Sequence, residues 1–258
     1  MLPELTSIEK SRYARNIKIP EIGEKGQRKL KDASVLIIGV GGLGSASALY
    51  LAAAGLGRIG LLDYDRVEIT NLNRQIIHDT PMLGKFKVDS AKQRLESLNP
   101  HIQVEIFPQL LEKESADEVV SQYSIVVDGT DNFAARYLIN EVCVRLARKY
   151  VYGAIYQFSG QVSVFDASKG PCFQCVFKKL PPPEFITAYQ GIGVIGALPG
   201  TIATIQAVEV IKLVLGIGNT LIGRLLLYDA LEMKFGEVAI QKDPQCPVCK
   251  VPAQKIFP

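Results

Sequence analysis

Apolar and polar positions alternate along the chain in blocks that predict a parallel β-sheet with helices between its strands. Five short runs are almost continuously apolar, and the stretches between them carry apolar residues at helical spacing. Repeated strand–helix–strand units of this kind are typical of a sheet that helices cover on both faces. The predicted strands are residues 34–40, 59–63, 104–108, 124–128 and 151–155, and the predicted helices are 42–54, 85–98, 112–122 and 132–149.

The two flanks of this pattern differ from its centre. Residues 6–31 are polar with a loose helical period and predict an N-terminal helical arm. After Gln161, the segments "QVSVFD", "RLLLYD" and "FGEVAI" indicate strands of a mixed or antiparallel sheet around one helix at 201–215, and the proline-rich 178–193 indicates a loop. We therefore predict one integrated α/β domain: a helical arm at 1–32, a Rossmann-like core at 33–160 and a mixed-sheet extension at 161–258.

Charge and hydropathy narrow the classes of partner. The 29 basic residues exceed the 26 acidic ones by only three, which gives no support for binding to nucleic acid or to membranes. The N-terminus carries charges where a signal peptide needs an apolar core, so we expect a cytoplasmic location. The most apolar region, 186–217, is interrupted by Pro199, Glu209 and Lys212, which favours a buried helix over a membrane span.

A glycine turn follows the first predicted strand. Gly39, Gly41 and Gly44 fit the G-x-G-x-x-G fingerprint, and Asp63 ends the next strand where an acid can bind a ribose. A helix that begins near Gly42 would point free N–H groups and its dipole at a phosphate. The alternative is a turn that is merely tight. The fingerprint predicts a nucleotide site, and by itself it favours NAD as much as any other nucleotide.

Polar residues past the second and fourth strands change that interpretation. Asn71 and Arg74 follow the acid-ended second strand, Lys87 begins a helix, and Asp131 and Asn132 follow the fourth strand. Arginine grips phosphate oxygens through paired donors, and a carboxylate at a strand end suits Mg²⁺ bound together with phosphates. The alternatives are a solvated loop around Arg74 and a helix N-cap at Asp131.

Two C-x-x-C pairs form the second signal. Cys172 and Cys175 lie in "GPCFQC", and Cys246 and Cys249 lie in "PQCPVC". Two such turns complete a tetrahedral zinc site with no open coordination position, which is typical of a structural site. Disulfides and separate redox motifs are the alternatives, and a reducing cytoplasm disfavours the disulfides.

Three further side chains with reactive chemistry are interpreted as structural. Cys143 lies in an apolar helical run, where a small buried core residue is the expected role. His78 and His101 are distant in sequence from every cysteine, and we interpret each as a core or surface histidine rather than a catalyst.

Together these motifs resemble the MoeB/ThiF/HesA family of ubiquitin-like-protein activating enzymes. The resemblance covers nearly the whole chain through "SRYARN", "GVGGLG", "LLDYDRVEITNLNRQ", "GKFKVDSA", "DGTDN", both cysteine pairs and "LLYDA". It implies that ATP and Mg²⁺ are used to adenylate the C-terminal glycine carboxylate of a small sulfur-carrier protein, with release of pyrophosphate. The carrier's pathway is not encoded in any short motif.

The resemblance also implies roles for individual residues. Asp63 would bind the ribose, Asp131 would bind Mg²⁺, Asn132 would lie beside the nucleotide, and Arg15 would reach into the partner subunit of a homodimer. Gly39 and Gly41 would also bind the nucleotide. The phosphates would contact the backbone of Gly42 and the side chains of Asn71, Arg74 and Lys87, of which the last two would stabilise charge as pyrophosphate leaves.

One departure from the family bears on sulfur transfer. Members that carry sulfur on their own cysteine have it in a loop before the last long helix, and here Tyr189 lies near that position. We therefore expect the enzyme to stop at the acyl-adenylate and to rely on a separate desulfurase or sulfurtransferase.

Three other functions remain open at this point. One is the related activation of a modified adenosine in tRNA, as in threonylcarbamoyladenosine dehydratase-type enzymes. The others are an NAD-dependent oxidoreductase, supported only by the glycine turn and Asp63, and an inactive scaffold held by zinc.

Overall fold

The computed structural model describes residues 2–182, 184 and 192–250. Its strands are β1 (Ser34–Ile38), β2 (Arg58–Leu62), β3 (Gln103–Phe107), β4 (Ile125–Asp128), β5 (Lys149–Tyr156), β6 (Ser159–Phe165), β7 (Arg224–Asp229) and β8 (Lys234–Ala239). They form one sheet in the order β3-β2-β1-β4-β5-β6-β7-β8. The pairings among β1 to β5 are parallel, and those from β5 to β8 are antiparallel. The sequence-predicted Rossmann-like, mostly parallel sheet and its antiparallel extension are thus one continuous sheet.

The helices are α1 (Ser7–Arg12), α2 (Ala14–Ile17), α3 (Gly23–Asp32), α4 (Gly42–Ala53), α5 (Lys87–Leu98), α6 (Lys113–Ser121), α7 (Phe133–Arg145), α8 (Phe173–Val176) and α9 (Leu198–Leu215). The predicted N-terminal helical arm thus consists of three short helices. Two predicted helix boundaries were wrong by three or four residues. The helix predicted to reach residue 149 ends at Arg145, because the chain turns through Ala147 at a φ of 53° and enters β5. The helix predicted from residue 201 begins at Leu198, because Pro199 fits its first turn, where no N–H donor is needed.

Two apolar clusters lie on opposite faces of the sheet. One contains side chains of α4, α5 and α9, and the other contains side chains of α6 and α7. By length and composition α9 is the one helix among the described residues that can cross a bilayer, but it packs against α4, β5 and β6 in the first cluster. Most of its apolar side chains therefore belong to the core, as predicted for this region, whereas Val208 is exposed.

The register of the central strands aligns their carboxyl ends. Ile38 of β1 pairs with Leu62 of β2 on one side and with Asp128 of β4 on the other. The chain leaves all three strands at the same edge, where β1 continues into the glycine turn. This edge is where ligands bind in open parallel sheets. Of the predicted loop at 178–193, residues 183 and 185–191, including Tyr189, lie outside the described part of the chain.

Candidate functional site

A cavity of about 480 Å³ opens at the carboxyl ends of β1, β2 and β4. Its volume falls in the range of small-molecule and cofactor sites. The sequence-predicted residues on its wall are Gly39, Gly41, Gly42, Asp63, Arg74, Lys87, Asp131 and Asn132. Apolar side chains, among them Leu62, Leu111 and Leu138, also line the cavity, and an uncharged planar ring can pack against such side chains.

Glycines allow three backbone segments to meet beneath the cavity. Gly39 has a φ of 86°, a left-handed conformation that favours glycine. A Cβ atom on Gly44 would lie 2.0 Å from the Gly39 carbonyl oxygen, and one on Gly129 would lie 2.1 Å from the same atom. The turn after β1, the first turn of α4 and the loop after β4 therefore pack backbone against backbone. As a result, the N-terminus of α4 faces the cavity with its unpaired N–H groups.

Asp63 is buried behind the glycine turn and is held by two backbone amides. Its Oδ2 accepts the Val40 N–H at 2.7 Å, and its Oδ1 accepts the Asp65 N–H at 2.8 Å. Burial raises the pKa of Asp63, and the charge of Lys87 together with these two hydrogen bonds opposes that rise. The carboxylate is thus fixed at the cavity wall as a hydrogen-bond acceptor, as a ribose ligand requires.

Two of the three cationic side chains that line the cavity, Lys87 and Arg74, differ in their settings. Lys87 is 6% exposed, and its Nζ lies 2.7 Å from Oδ2 of Asp65. Arg74 is half-buried, and its Nη1 donates to the carbonyl of Thr70 at 2.9 Å and to Oδ1 of Asn73 at 3.1 Å. Both cations are already oriented by protein oxygens, so an anionic ligand would add to or exchange these partners without reorganising the loop.

The loop after β4 presents a carboxylate to the cavity. Asn132, rather than Asp131, is the N-cap of α7, because its Oδ1 accepts the Ala135 N–H at 2.8 Å. The capping alternative for Asp131 is therefore wrong. Its exposed carboxylate remains on the cavity wall, where it supplies the hard oxygen that Mg²⁺ prefers.

A buried network beneath that loop was not anticipated from the sequence. Asp128 is fully buried; its Oδ2 accepts the Tyr150 hydroxyl at 2.6 Å, and its Oδ1 accepts the Thr130 N–H at 2.8 Å. Nε of Arg136 lies 3.5 Å from the same carboxylate. Burial raises the pKa of Asp128, and Arg136 opposes the rise. These contacts fix the backbone that leads to Asp131.

Two predicted site residues lie off the cavity wall. Asn71 is nearly buried, and its Oδ1 accepts the Glu68 N–H at 3.1 Å, so it shapes the turn that carries Arg74. Arg15 is exposed on α2, away from the cavity of its own chain. The role of Asn71 at the phosphates therefore stays a prediction, and so does the role of Arg15 in a partner's site.

The four paired cysteines meet in one buried cluster. Their Sγ atoms all lie within 4.8 Å of one another, with separations of 3.4 Å for Cys175–Cys249, 3.6 Å for Cys172–Cys246 and 3.8 Å for Cys172–Cys175. A tetrahedral zinc ion with Zn–S bonds of about 2.3 Å needs sulfurs about 3.8 Å apart, so the cluster fits this ion. All four are free thiols, which removes the disulfide alternative. Asn140 orients the cluster by donating to Cys172 Sγ.

Cys143 is separate from this cluster. It lies on α7, where it is 2% exposed in the core, and burial raises its pKa well above the usual value for a thiol. The sequence-based interpretation of Cys143 as a buried core residue is confirmed. Its thiol stays protonated and is inert as a nucleophile.

Comparison with known proteins identifies the family. The sequence profile of the ThiF family matches residues 13–248. The chain belongs to the ThiF family. A Thermus thermophilus member named sulfur carrier protein adenylyltransferase is 45% identical over 249 residues, which cover 95% of this chain and 92% of the relative.

Longer members of the ThiF family share the same region. The adenylyltransferase and sulfurtransferase MOCS3 of Culex quinquefasciatus is 46% identical, but the match spans 96% of this chain and only 57% of the relative. Among solved structures, Escherichia coli MccB with AMPCPP and MccA is 25% identical, has a TM-score of 0.81, and matches 92% of this chain and 74% of that chain. The fold of this chain is thus that of a ThiF family enzyme.

Proposed function

We propose that this protein uses ATP to adenylate the C-terminal glycine carboxylate of a small ubiquitin-fold sulfur carrier, releasing pyrophosphate. The proposal is supported by one cavity, which is lined by the glycine turn together with Asp63, Lys87, Arg74 and Asp131. Hydride transfer would leave Arg74, Lys87 and Asp131 without a role. The Thermus thermophilus relative, which matches this chain over nearly its full length, supports the same activity.

The residues of the cavity have different roles in the proposed reaction. A carboxylate is already a nucleophile, so catalysis consists of in-line positioning and charge neutralisation rather than proton transfer. Asp63 holds the ribose, and the N–H groups of the glycine turn contact the phosphates. Arg74 and Lys87 stabilise the negative charge that develops as pyrophosphate leaves.

Two metal ions belong to this proposal. Mg²⁺ would be held by Asp131 together with the nucleotide phosphates, and it would neutralise phosphate charge. One zinc ion would be held by Cys172, Cys175, Cys246 and Cys249, and it would join the C-terminal segment to α8.

The activity is tested by carrier-dependent ATP–pyrophosphate exchange. We expect exchange with a carrier that ends in Gly-Gly and none when its terminal glycine is deleted. Lys87→Ala should reduce exchange about a hundredfold or more because a charge-stabilising group is lost. Lys85→Ala is the matched control, since Lys85 is exposed and lies off the cavity wall. Exchange that responds to tRNA and to no Gly-Gly carrier would instead assign the related tRNA-modifying activity.

The proposal includes a homodimer in which Arg15 completes the partner's site. The arm that carries Arg15 is anchored to its own chain: Asn99 donates to the Tyr13 hydroxyl at 2.8 Å, and Asn16 donates to Gln27 at 3.4 Å. Mixed dimers test it, because Arg15→Ala and Lys87→Ala subunits together form one intact site. Mixing two inactive variants should restore about a quarter of the wild-type sites if subunits exchange freely. No restoration in verified mixed dimers would contradict it.

Sulfur in this scheme comes from a separate desulfurase or sulfurtransferase. All five cysteines in the sequence are buried in the structure, four of them in the cluster. Each thiol is therefore inaccessible to a carrier acyl group in this fold. Mass spectrometry under non-reducing conditions should find no carrier thioester on the enzyme. The absence of nucleic-acid and membrane partners and the cytoplasmic location remain part of the proposal.

A further inference from the structure

Val40, in the middle of the glycine turn, is hydrogen-bonded through both of its backbone polar groups. Its N–H donates to Asp63 Oδ2 at 2.7 Å, and its carbonyl oxygen lies 3.0 Å from Nε2 of His78. His78 is 6% exposed and follows Arg74 in the loop that borders the cavity. The resemblance to the family assigns no role to this histidine.

The partners of His78 define its tautomer. A carbonyl oxygen only accepts hydrogen bonds, so Nε2 carries the proton that it donates to Val40. Nδ1 then accepts, and the Ser90 hydroxyl, whose Oγ lies 2.9 Å away, is its donor. Burial lowers the pKa of His78 to about 4, so the ring is neutral near neutral pH. Both ring nitrogens are thus used to hold one backbone carbonyl in place.

The direction of that carbonyl determines the direction of the next N–H. In a trans peptide the C=O of Val40 and the N–H of Gly41 point in opposite directions, and the chain has no cis peptide bond. With the carbonyl held on the buried His78, the Gly41 N–H points away from His78, and Gly41 itself lines the cavity. That N–H is then available to an anion.

A rotation of this peptide would reverse the polarity of the turn. Because Gly41 has no Cβ, it tolerates the backbone angles of a flipped peptide that other residues resist. A flipped Val40–Gly41 peptide would aim a carbonyl oxygen, rather than an N–H, at the phosphates. The bond from Asp63 to the Val40 N–H does not prevent this, because it holds the preceding peptide.

We propose that His78 is a positioning residue that locks the Val40–Gly41 peptide with its N–H toward the phosphates of the nucleotide. The inference rests on the proposed function only in taking ATP as the ligand of the cavity. His78 acts through the backbone and does not itself contact the nucleotide.

A matched pair of amide variants tests the proposal. Glutamine places its side-chain N–H₂ near the position of Nε2 and can still reach the Val40 carbonyl, whereas asparagine reaches only toward Ser90. We expect His78→Asn to weaken ATP binding about ten- to a hundredfold, the effect of losing one hydrogen bond to a charged group. His78→Gln should change it less than about threefold. Adenosine, which has no phosphates, should bind equally well to all three proteins.

Two results would overturn the proposal. One is equal weakening of ATP binding by both variants; the other is a parallel loss of adenosine binding, which would indicate general damage to the site. If His78→Asn does not fold, NMR of the wild-type imidazoles decides, because the sequence has only two histidines. The Nε2–H tautomer of His78 in the ATP complex supports the proposal, and the Nδ1–H tautomer contradicts it, because its Nε2 has no proton to donate to the Val40 carbonyl. Wild-type protein that binds ATP without carrier-dependent exchange would refute the proposed function alone.

Discussion

The nucleotide cavity and the cysteine cluster differ in where their polar groups find partners. At the cavity, Asp63 is held by two backbone N–H groups, Lys87 by Asp65, and Asp128 by Tyr150 and Thr130. These partners belong to strands, turns and helices that are fixed by the two apolar clusters. The fold therefore prepares the cavity before any ligand arrives, which is the arrangement that favours charge stabilisation in a transition state.

In the cysteine cluster the sulfurs have mainly one another as neighbours. Cys172 contacts Cys175 and Cys246, and Cys175 contacts Cys249, with Asn140 as an additional donor to Cys172. Four thiolates at such distances repel one another unless a cation lies between them. The fold thus forms the first site, whereas a bound metal would form the second and fix the segment after β8.

Zinc removal should produce the largest difference between the two sites. Metal binding in structural Cys₄ sites contributes on the order of 10 kcal/mol, so chelation should release the segment around Cys246 and Cys249. We expect one zinc ion per chain by elemental analysis and rapid proteolysis after β8 once the metal is removed. ATP binding should persist, because the cavity residues lie on other elements.

Substitution of one ligand provides the control. Cys246→Ser should lose zinc and show the same cleavage, whereas Cys143→Ser, in the core, should retain zinc. If metal-free protein kept its protease resistance and its melting temperature, the cluster would not hold the segment, and the contrast with the cavity would fail.

Asp131→Asn should have the opposite effect to zinc removal: a large loss of activity and a small change in stability. Loss of the carboxylate that would hold Mg²⁺ should reduce exchange about a hundredfold or more. The free energy of unfolding should change by less than about 0.5 kcal/mol, because the side chain is exposed and does not cap α7. Exchange assays and urea unfolding measure the two effects.

Asp32→Asn is a suitable control for this variant, since Asp32 is an exposed acid at the end of α3 and lies off the cavity wall. It should leave exchange unchanged. A destabilised Asp131→Asn protein would show that the loop after β4 serves the fold as well as the site, which would weaken the distinction between prepared cavity and metal-formed cluster.

The sequence predicts the parts of the site that follow from local patterns. Gly39, Asp63 and Asp131 each follow a strand, and parallel strands bring their carboxyl ends to one edge, so their proximity follows from the strand prediction. The two C-x-x-C pairs are also a local signal, because a closed zinc site, disulfides and redox motifs are the few roles that explain such spacing. The aligned register of β1, β2 and β4 is the structural counterpart of these local signals.

The supporting residues are not predictable in the same way. His78 and Asp128 gain their roles from partners far along the chain, Val40 for the first and Tyr150 for the second. The residues next to His78 and Asp128 in the sequence do not distinguish these buried roles from positions on a solvated surface. Periodicity also misplaced the start of α9, because Pro199 resembles a helix breaker although it fits a first turn.

The pH dependence of stability is expected to be a smaller effect than zinc removal or the loss of exchange in Asp131→Asn. It tests whether His78 stays buried and neutral beside the cavity. Burial lowers the pKa of His78 from 6.5 to about 4 in the folded protein. Below the unfolded-state pKa, the unfolded chain takes up a proton that the folded protein does not, so stability falls as the pH decreases. The contribution of neutral His78 to the free energy of unfolding is fully present above about pH 6.5. Between about pH 7 and pH 5 the loss of this contribution should reach about 2 kcal/mol.

His78→Gln isolates this effect because it removes the titrating group and preserves the bond to Val40. Burial raises the pKa of Asp63 and Asp128, which favours the folded state at low pH, but both proteins share these carboxyls and any zinc ligands. Urea unfolding at several pH values should therefore show wild type losing about 2 kcal/mol more than the variant between about pH 7 and pH 5. Parallel curves would mean that His78 is protonated in the folded protein, and a protonated ring has no acceptor for the Ser90 hydroxyl. Nε2 of a protonated ring would still donate to Val40, but the ring would be less closed to water than its burial indicates. The cavity would then be less completely formed by the fold than its contrast with the cysteine cluster implies.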